Sequence, residues 1–169
     1  MKKSPLNDAF GHHVWATLRV IDACLPLTPE QLQTSVPGTY GSILDTIRHL
    51  VGADAAYLGL ISDGQSSEIQ EDAMDLAQLR STMVALGPVW AAVLAANPDP
   101  DRDVIRHRED GSDGHAPLAI RLAQAIHHGT DHRSQVCTAL TTLGTEPPAI
   151  DVWDYGADDG RVFETEPTS

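Results

Sequence analysis

His128 and His132 are the residues whose type and spacing most directly suggest chemistry in this chain. Residues four positions apart on an α-helix project from the same face, one above the other. Two imidazole nitrogens held in this way on one rigid element can bind the same transition-metal ion. Hydrogen-bonded or solvent-exposed histidines can have the same spacing, so the spacing alone leaves both interpretations open. The neighbouring His127 projects away from the pair and is a second-rank candidate.

A three-histidine site needs a ligand from another element, and His49 is a candidate because it is the only histidine in the second predicted helix. The helix face that carries His49 consists mostly of small residues, which allow a neighbouring helix to approach closely. The strongest apolar stripe of this helix lies almost opposite His49 and comprises Ile43, Ile47, Val51 and Leu58. Periodicity therefore leaves open whether His49 faces the interior.

Other sequence patterns of catalysis are absent. The chain has no H-E-x-x-H motif of metalloproteases, no G-x-S-x-G motif and no glycine-rich phosphate loop after a strand. Cys24 and Cys137 lie among apolar residues and are predicted to be core side chains. The remaining histidines are predicted to lie at the surface: His12 and His13 in the first helix, and His107 and His115 in a charged connection.

Four long helices are predicted to position these side chains. Capping residues and apolar periodicity place them from Ser4-Pro5 to Leu25, from Ile43 to Ile61, from Leu76 to Asn97 and from near Pro117 to Gly144. A capping box at 28–31 predicts a further short helix, and Gly87-Pro88 predicts a kink in the third long helix. The short links between the helices predict an all-α fold, an antiparallel four-helix bundle.

Three segments carry most of the acidic residues, namely 63–75, 99–113 and 151–166. The connection 101–114 is charged, and within it Val104-Ile105 predicts a short extended piece that turns at Asp110-Gly111. Residues 1–150 are predicted to form the bundle domain, and residues 151–169 an acidic tail. The first part of this tail is predicted to pack on the domain through Val152, Trp153, Tyr155 and Phe163.

The 169-residue chain has 24 acidic and 11 basic residues, a formal net charge of −13. Such a chain repels a phosphate backbone, so a nucleic-acid partner is not expected. Its longest apolar stretch, from Val84 to Ala96, is too short to cross a bilayer, and polar residues occupy the place of a signal-peptide core. The composition therefore predicts a cytoplasmic protein with no membrane partner.

Segment 128–135, H-G-T-D-H-R-S-Q, resembles the H-x-x-x-H-R-x-Q signature of the DinB/YfiT-like superfamily of metalloenzymes. Segment 41–58 is similar to the family's helix with a single metal-binding histidine, and segment 150–156 resembles a recurrent family ending. The chain departs from the pattern at Ser134, where many members have glycine, and at Asp54 and Tyr57, where many have glutamate and tryptophan.

The resemblance implies a four-helix bundle in which His49, His128 and His132 hold a divalent metal, with nickel, zinc and iron all suited to imidazole ligands. Three protein ligands and one open position are typical of a catalytic metal site. Gln135 lies one turn beyond His132 and would orient a side chain behind the metal ligands or line the pocket. Arg133 faces the apolar stripe, which predicts pairing with a buried carboxylate or a helix terminus.

Three functions are compatible with this resemblance. The first is a metal-dependent S-transferase that uses a low-molecular-weight thiol such as bacillithiol or mycothiol. The second is a non-catalytic metal-binding or stress-response protein. The third is a thiol-dependent isomerase of the maleylpyruvate isomerase type, which would require converging basic residues, for which Arg19, Arg48 and Arg121 are available. Members of the family commonly form homodimers, so a homodimer is expected.

Overall fold

A computed structural model gives the architecture of the chain and describes residues 4–62 and 69–165. These residues form α-helices, a short 3-10 helix (Glu71–Ala73) and a two-stranded sheet. The α-helices are α1 (Pro5–Cys24), α2 (Pro29–Leu32), α3 (Ile43–Ile61), α4 (Leu76–Ala95), α5 (Leu118–Thr142) and α6 (Val152–Asp158), and the strands are β1 (Asp103–His107) and β2 (Asp113–Pro117). This mostly helical architecture confirms the all-α class.

Side-chain caps set the helix starts that the sequence predicts. Ser4 accepts a hydrogen bond from the backbone N–H of Asn7, and the Asn7 side chain accepts one from the N–H of Ser4. The same reciprocal arrangement starts α2 at Thr28 and α4 at Asp75, and the hydroxyl of Ser42 caps α3. Each cap satisfies backbone donors that have no partner within the helix.

The four long helices share one core. Helix α1 packs against α4 and α5, and helix α3 packs against the same two helices. The predicted apolar stripe of α3 is fully buried there: Ile43, Ile47, Val51 and Leu58. His49 lies on another side of α3 and is half-buried. Burial of the stripe therefore leaves His49 free to face the neighbouring helix α5.

Helix α4 continues through Gly87-Pro88 without a break. Proline has no N–H, so the carbonyl of Val84, one turn earlier, has no backbone donor from Pro88. Val84 is exposed, and water can therefore satisfy this carbonyl. At the end of α5 the predicted stop is confirmed, because Gly144 has a φ of +73° and the N–H of Thr145 donates to the carbonyl of Leu140.

The predicted extended piece is strand β1 of a hairpin that lies beside α3 and α5. Its partner β2 runs antiparallel, with Val104 opposite Ala116 and Arg106 opposite Gly114. Gly111, with a φ of +81°, lies in the turn. Val104 is buried against the helical core, so alternation along the strand directs Arg106 toward the same side.

The tail packs on the domain less extensively than predicted. Helix α6 contacts α1, and the Tyr155 hydroxyl lies so close to Gly11 that a Cβ there would be 2.2 Å from it. Trp153 and Phe163, by contrast, are 75% and 76% exposed, so the prediction that they pack on the domain is wrong.

In the described ranges, no helix combines the length and apolar character that crossing a membrane requires.

Candidate metal centre

Three histidines from two helices converge where α3 packs against α5. His49 comes from α3, and His128 and His132 come from successive turns of α5. One ring nitrogen from each histidine lies within 4.8 Å of the corresponding atoms of the other two. The Nε2 atoms of His49 and His128 are 3.0 Å apart. Packing of α3 on α5 thus brings together the three residues that the sequence singled out.

A side-chain amide fixes the orientation of His132. The Oε1 atom of Gln135 accepts a hydrogen bond from the backbone N–H of Tyr40 at 2.9 Å and lies 3.0 Å from Nδ1 of His132. Because an amide oxygen can only accept, Nδ1 of His132 carries the proton. The lone pair of His132 is therefore on Nε2, as a ligand at this cluster requires.

Tyr40 covers one side of the cluster. Its ring stacks on the ring of His49, with centroids 4.1 Å apart and planes 7° apart. The same ring meets His132 edge-on at a centroid distance of 5.4 Å. Tyr40 lies in the loop before α3, and no motif in the sequence indicates this role. It limits the freedom of two of the three imidazoles.

The environment of the cluster favours neutral imidazoles. Burial, together with the charges of His132 and His49, lowers the pKa of His128 to about 4. Burial and the nearby His132 also lower the pKa of His49. A metal binds the neutral form of histidine, so these rings need lose no proton to bind one at neutral pH.

A buried polar network lies behind the cluster, and it centres on His13. The prediction that His13 lies at the surface is wrong: His13 and Asp54 are both 0% exposed, and Nε2 of His13 is 2.7 Å from Oδ2 of Asp54. Arg133 donates to Nδ1 of His13 at 3.0 Å and to the hydroxyl of Thr17 at 3.2 Å. Because Arg133 can only donate, His13 carries its proton on Nε2 and donates it to Asp54.

This network joins three helices immediately beside His128. His13 belongs to α1, Asp54 to α3 and Arg133 to α5. The ring of His13 lies against Gly129, where a Cβ would be 2.3 Å from Cε1 of His13, so no larger residue fits without a shift. Burial lowers the pKa of Arg133 to about 10, while the charge of Asp54 opposes this shift. Contrary to the prediction of a buried carboxylate partner, Arg133 pairs directly with no carboxylate of the described residues; His13 lies between Arg133 and Asp54 and bonds both.

Two buried atoms at this network have no hydrogen-bond partner among the residues described: Oδ1 of Asp54 and Nδ1 of His128. The charge of Asp54 raises the pKa of His128 against the larger effect of burial. A buried carboxylate oxygen without a donor and a buried imidazole nitrogen without an acceptor are both costly. The donor set fits a metal bound at Nε2 of His128, because that ligand would carry its proton on Nδ1.

A cavity of 990 Å³ opens beside the cluster, and His49 and His128 line it. Its helical wall is formed by small and apolar residues of α3, namely Ala53, Ala56, Gly59 and Leu60. Its other wall is the β-hairpin. The volume is in the range of small-molecule sites. The histidine cluster is therefore reachable by a ligand and is not sealed by side chains.

The other histidines lie away from the cluster. His127 is exposed and does not join the cluster. His12, predicted at the surface, is half-buried with its Nε2 atom 2.7 Å from the carbonyl oxygen of Ile150. His107 and His115 are exposed on the hairpin, as predicted, where they pair with Asp113 and Asp103. Cys24 is buried and Cys137 partly buried, which confirms their assignment to the core.

Comparison with known protein families gives one match. The sequence model of the DinB family matches residues 1–161 of the chain, which includes all four long helices, the hairpin and α6. No curated protein matches the chain.

Proposed function

The chain belongs to the DinB family, and from this premise we propose that it is a divalent-metal-dependent enzyme of the thiol S-transferase type. The observation that carries the proposal is the convergence of His49, His128 and His132, two of which, His49 and His128, line a ligand-sized cavity. In the proposed reaction the thiol sulfur forms a bond to an electrophilic carbon, the leaving group departs with its electron pair, and the thiol proton passes to solvent.

In this proposal His49, His128 and His132 hold the metal, which can be nickel, zinc or iron. A divalent metal held by three imidazoles supplies charge that lowers the pKa of a bound thiol and makes the nucleophile available at neutral pH. Gln135 keeps the proton of His132 on Nδ1. Tyr40 holds the rings of His49 and His132 in place.

We further propose that Oδ1 of Asp54 accepts the Nδ1 proton of His128. Such an acceptor fixes the tautomer and the ring orientation of a histidine ligand. Both atoms are buried and have no hydrogen-bond partner in the described ranges, each other included. A shift of either side chain that paired them would satisfy both, which supports this proposal. His13 holds Asp54 through its Oδ2 atom, and Arg133 in turn holds His13. Asp54 therefore acts as a positioning residue.

The open cavity favours an enzyme over a non-catalytic metal-binding protein, because a structural metal is usually enclosed by its ligands. The isomerase alternative is less well supported. Arg19 pairs with Asp158, and Arg48 binds the carbonyl of Met74, so neither converges on the cavity that Arg121 lines. Five expectations remain predictions. They are an antiparallel four-helix bundle, its division from the acidic tail at residue 150, a homodimer, a cytoplasmic location and the absence of nucleic-acid partners.

Metal analysis of protein purified without a nickel column tests the site. We expect about one equivalent of a divalent transition metal per chain. Replacement of His49, His128 or His132 by alanine should weaken metal binding by more than the roughly 10–100-fold lost with an outer-shell partner. The variants His107→Ala and His115→Ala are matched controls, because these histidines are exposed on the hairpin. Metal content that is unchanged in all five variants would contradict the site.

Turnover of the metal-loaded protein tests the reaction. Wild-type protein is incubated with a panel of low-molecular-weight thiols and a chromogenic aryl halide, and thioether formation is followed together with loss of free thiol. We expect thioether formation that requires the three histidines. Stoichiometric metal without thiol consumption would reject the transferase reaction and retain the metal site.

A further inference from the structure

Three arginines line the cavity, and they differ from four other arginines of the chain. Arg19, Arg48, Arg80 and Arg161 each form an ion pair with an aspartate. The cavity arginines form no ion pair within the part of the chain that the structure describes; they are Arg106, Arg108 and Arg121. The lining also contains Glu109 and Asp110, so its formal charge is +1, in a chain whose formal net charge is −13.

Gly114 of the hairpin lies close to the side chains of two of these arginines, Arg108 and Arg121. It lies opposite Arg106 in the hairpin, and a Cβ at Gly114 would be 3.2 Å from Nη2 of Arg108. Its carbonyl accepts a hydrogen bond from Nη2 of Arg121 at 2.9 Å, and the same nitrogen donates to the carbonyl of Val104 at 3.1 Å. Two guanidinium groups therefore meet at one glycine without an intervening carboxylate.

The remaining hydrogen-bond donors of these arginines are not consumed by the protein. Arg121 is anchored through Nη2, and its buried Nε has no hydrogen-bond partner within the described residues. Arg108 donates to the hydroxyl of Ser112 through Nη1 alone. Of the two acidic residues that line the cavity, Asp110 accepts hydrogen bonds from the N–H and hydroxyl of Ser112 and is held within the turn. The other, Glu109, is exposed and leaves the three arginines in excess.

We propose that Arg106, Arg108 and Arg121 form a carboxylate-binding subsite and that the thiol used at the histidine cluster carries a carboxylate. The inference rests on the proposed function, because the thiol end of the ligand must lie at His49 and His128, which line the same cavity. Guanidinium groups bind carboxylates through paired, charge-assisted hydrogen bonds. The hairpin thus selects among thiols by the charge of their other end.

The test uses the full-length protein loaded with Co²⁺, whose thiolate charge-transfer absorption reports binding without turnover. Two thiols of equal chain length are titrated: 3-mercaptopropionate, which has a carboxylate, and 3-mercapto-1-propanol, which does not. The measured quantity is the ratio of the two dissociation constants. Comparison of this ratio between variants removes the attraction that the metal itself exerts on an anion.

We expect the preference for 3-mercaptopropionate to be about tenfold smaller in Arg106→Gln/Arg108→Gln than in wild type, as for loss of a charge-assisted contact. The double variant Arg106→Lys/Arg108→Lys should keep part of the preference, because it keeps the charge. The control Arg19→Gln/Arg80→Gln changes the net charge equally at exposed arginines outside the cavity and should retain the wild-type ratio. Unchanged binding of 3-mercapto-1-propanol shows that the cavity variants are folded.

A preference that persists in Arg106→Gln/Arg108→Gln, or equal binding of both thiols by wild type, would overturn the subsite and leave the proposed function intact. An equal loss of preference in the Arg19→Gln/Arg80→Gln control would also overturn it, because net charge would then suffice. Failure of Co²⁺ or of both thiols to bind would instead reject the proposed function, and the subsite with it.

Discussion

Two kinds of histidine–aspartate pair occur in this molecule, and they have almost the same length. In the interior, His13 lies 2.7 Å from Asp54. On the hairpin, His107 lies 2.7 Å from Asp113, although the side chain of His107 is 79% exposed. Water competes for the exposed pair and screens it, whereas the interior pair has only its protein partners. The contribution of each pair to protein stability therefore depends on its burial and on its further partners more than on its length.

The interior pair and the hairpin pairs also differ in the groups that they contact. The interior pair contacts Arg133 and lies against Gly129, next to His128 of the candidate metal site. The hairpin pairs join only the two strands to each other. A change in the interior pair should therefore affect both stability and the metal site, while a change in a hairpin pair should affect neither strongly.

The largest expected difference concerns the carboxylates. Asp54→Asn should lower the free energy of unfolding by about 3 kcal/mol, because it removes the charge that compensates buried Arg133. Asp113→Asn, the matched exposed change, should lower it by less than about 1 kcal/mol. Urea unfolding of the metal-free proteins measures both values. Equal losses would show that burial does not separate the two pairs.

The amide acceptor of His132 extends the comparison to metal binding. Gln135→Ala should weaken metal binding by about 10–100-fold, because His132 loses the group that fixes its tautomer. Gln124→Ala is the control, since Gln124 is exposed and its amide is 3.5 Å from the hydroxyl of Tyr57. Competition with a chromogenic chelator gives both affinities. A control that lost as much affinity would contradict a specific role for Gln135.

Glycine substitutions compare the space available in the two regions. Gly129→Ala places a methyl group 2.3 Å from a ring held on both sides, and should destabilise the protein by about 1–2 kcal/mol despite the better helix propensity of alanine. Gly114→Ala meets only the mobile end of Arg108, at 3.2 Å, and should change stability by less than about 0.5 kcal/mol. Thermal unfolding of both variants decides the point. A stabilised Gly129→Ala would show that His13 can move.

The smallest expected effect is on the pKa values of two histidines, which shift in opposite directions. In metal-free protein we expect His128 to titrate with a pKa of about 4 and His115 with a pKa above 6.5, which Asp103 raises. Protein stability should therefore fall as pH drops from 6.5 toward 4, because the unfolded chain takes up a proton at His128 first. His115 contributes below pH 6.5, and its contribution is lost as pH rises through its folded pKa.

Two-dimensional NMR of the imidazole protons follows each ring separately. Asp103→Asn should return the pKa of His115 toward 6.5 and leave His128 unchanged. If both rings titrated together near 6.5, the environments of the two regions would not differ in the way the structure indicates.

Much of the fold and the three histidines could be predicted from the sequence, because caps and periodicity act locally. Ser4, Ser42 and Gly144 define helix ends within a few residues, and the spacing of His128 and His132 fixes a shared face. Membership of His49 in the cluster depended on the family resemblance, because its own helix periodicity placed it opposite the apolar stripe.

The polar network could not be predicted, because it depends on contacts between helices distant in sequence. The sequence around His13 and His12 predicts a surface position for both. His13 is buried because α1 docks on α5 and places its ring against Gly129. Asp54 differs from the family pattern, and this difference marks its position but assigns it no role. The convergence of Arg106 and Arg108 on the cavity likewise depends on hairpin register and docking.

The separation of the histidines along the chain also bears on how the protein folds and persists. His49 and His128 are 79 residues apart, so the cluster forms only when α3 and α5 have docked. An ion that binds only the docked state stabilises it in proportion to the logarithm of its free concentration. An ion that binds only after the folding transition state acts by slowing unfolding and leaves the rate of folding nearly unchanged. The lifetime of the folded chain would then follow the metal supply around it.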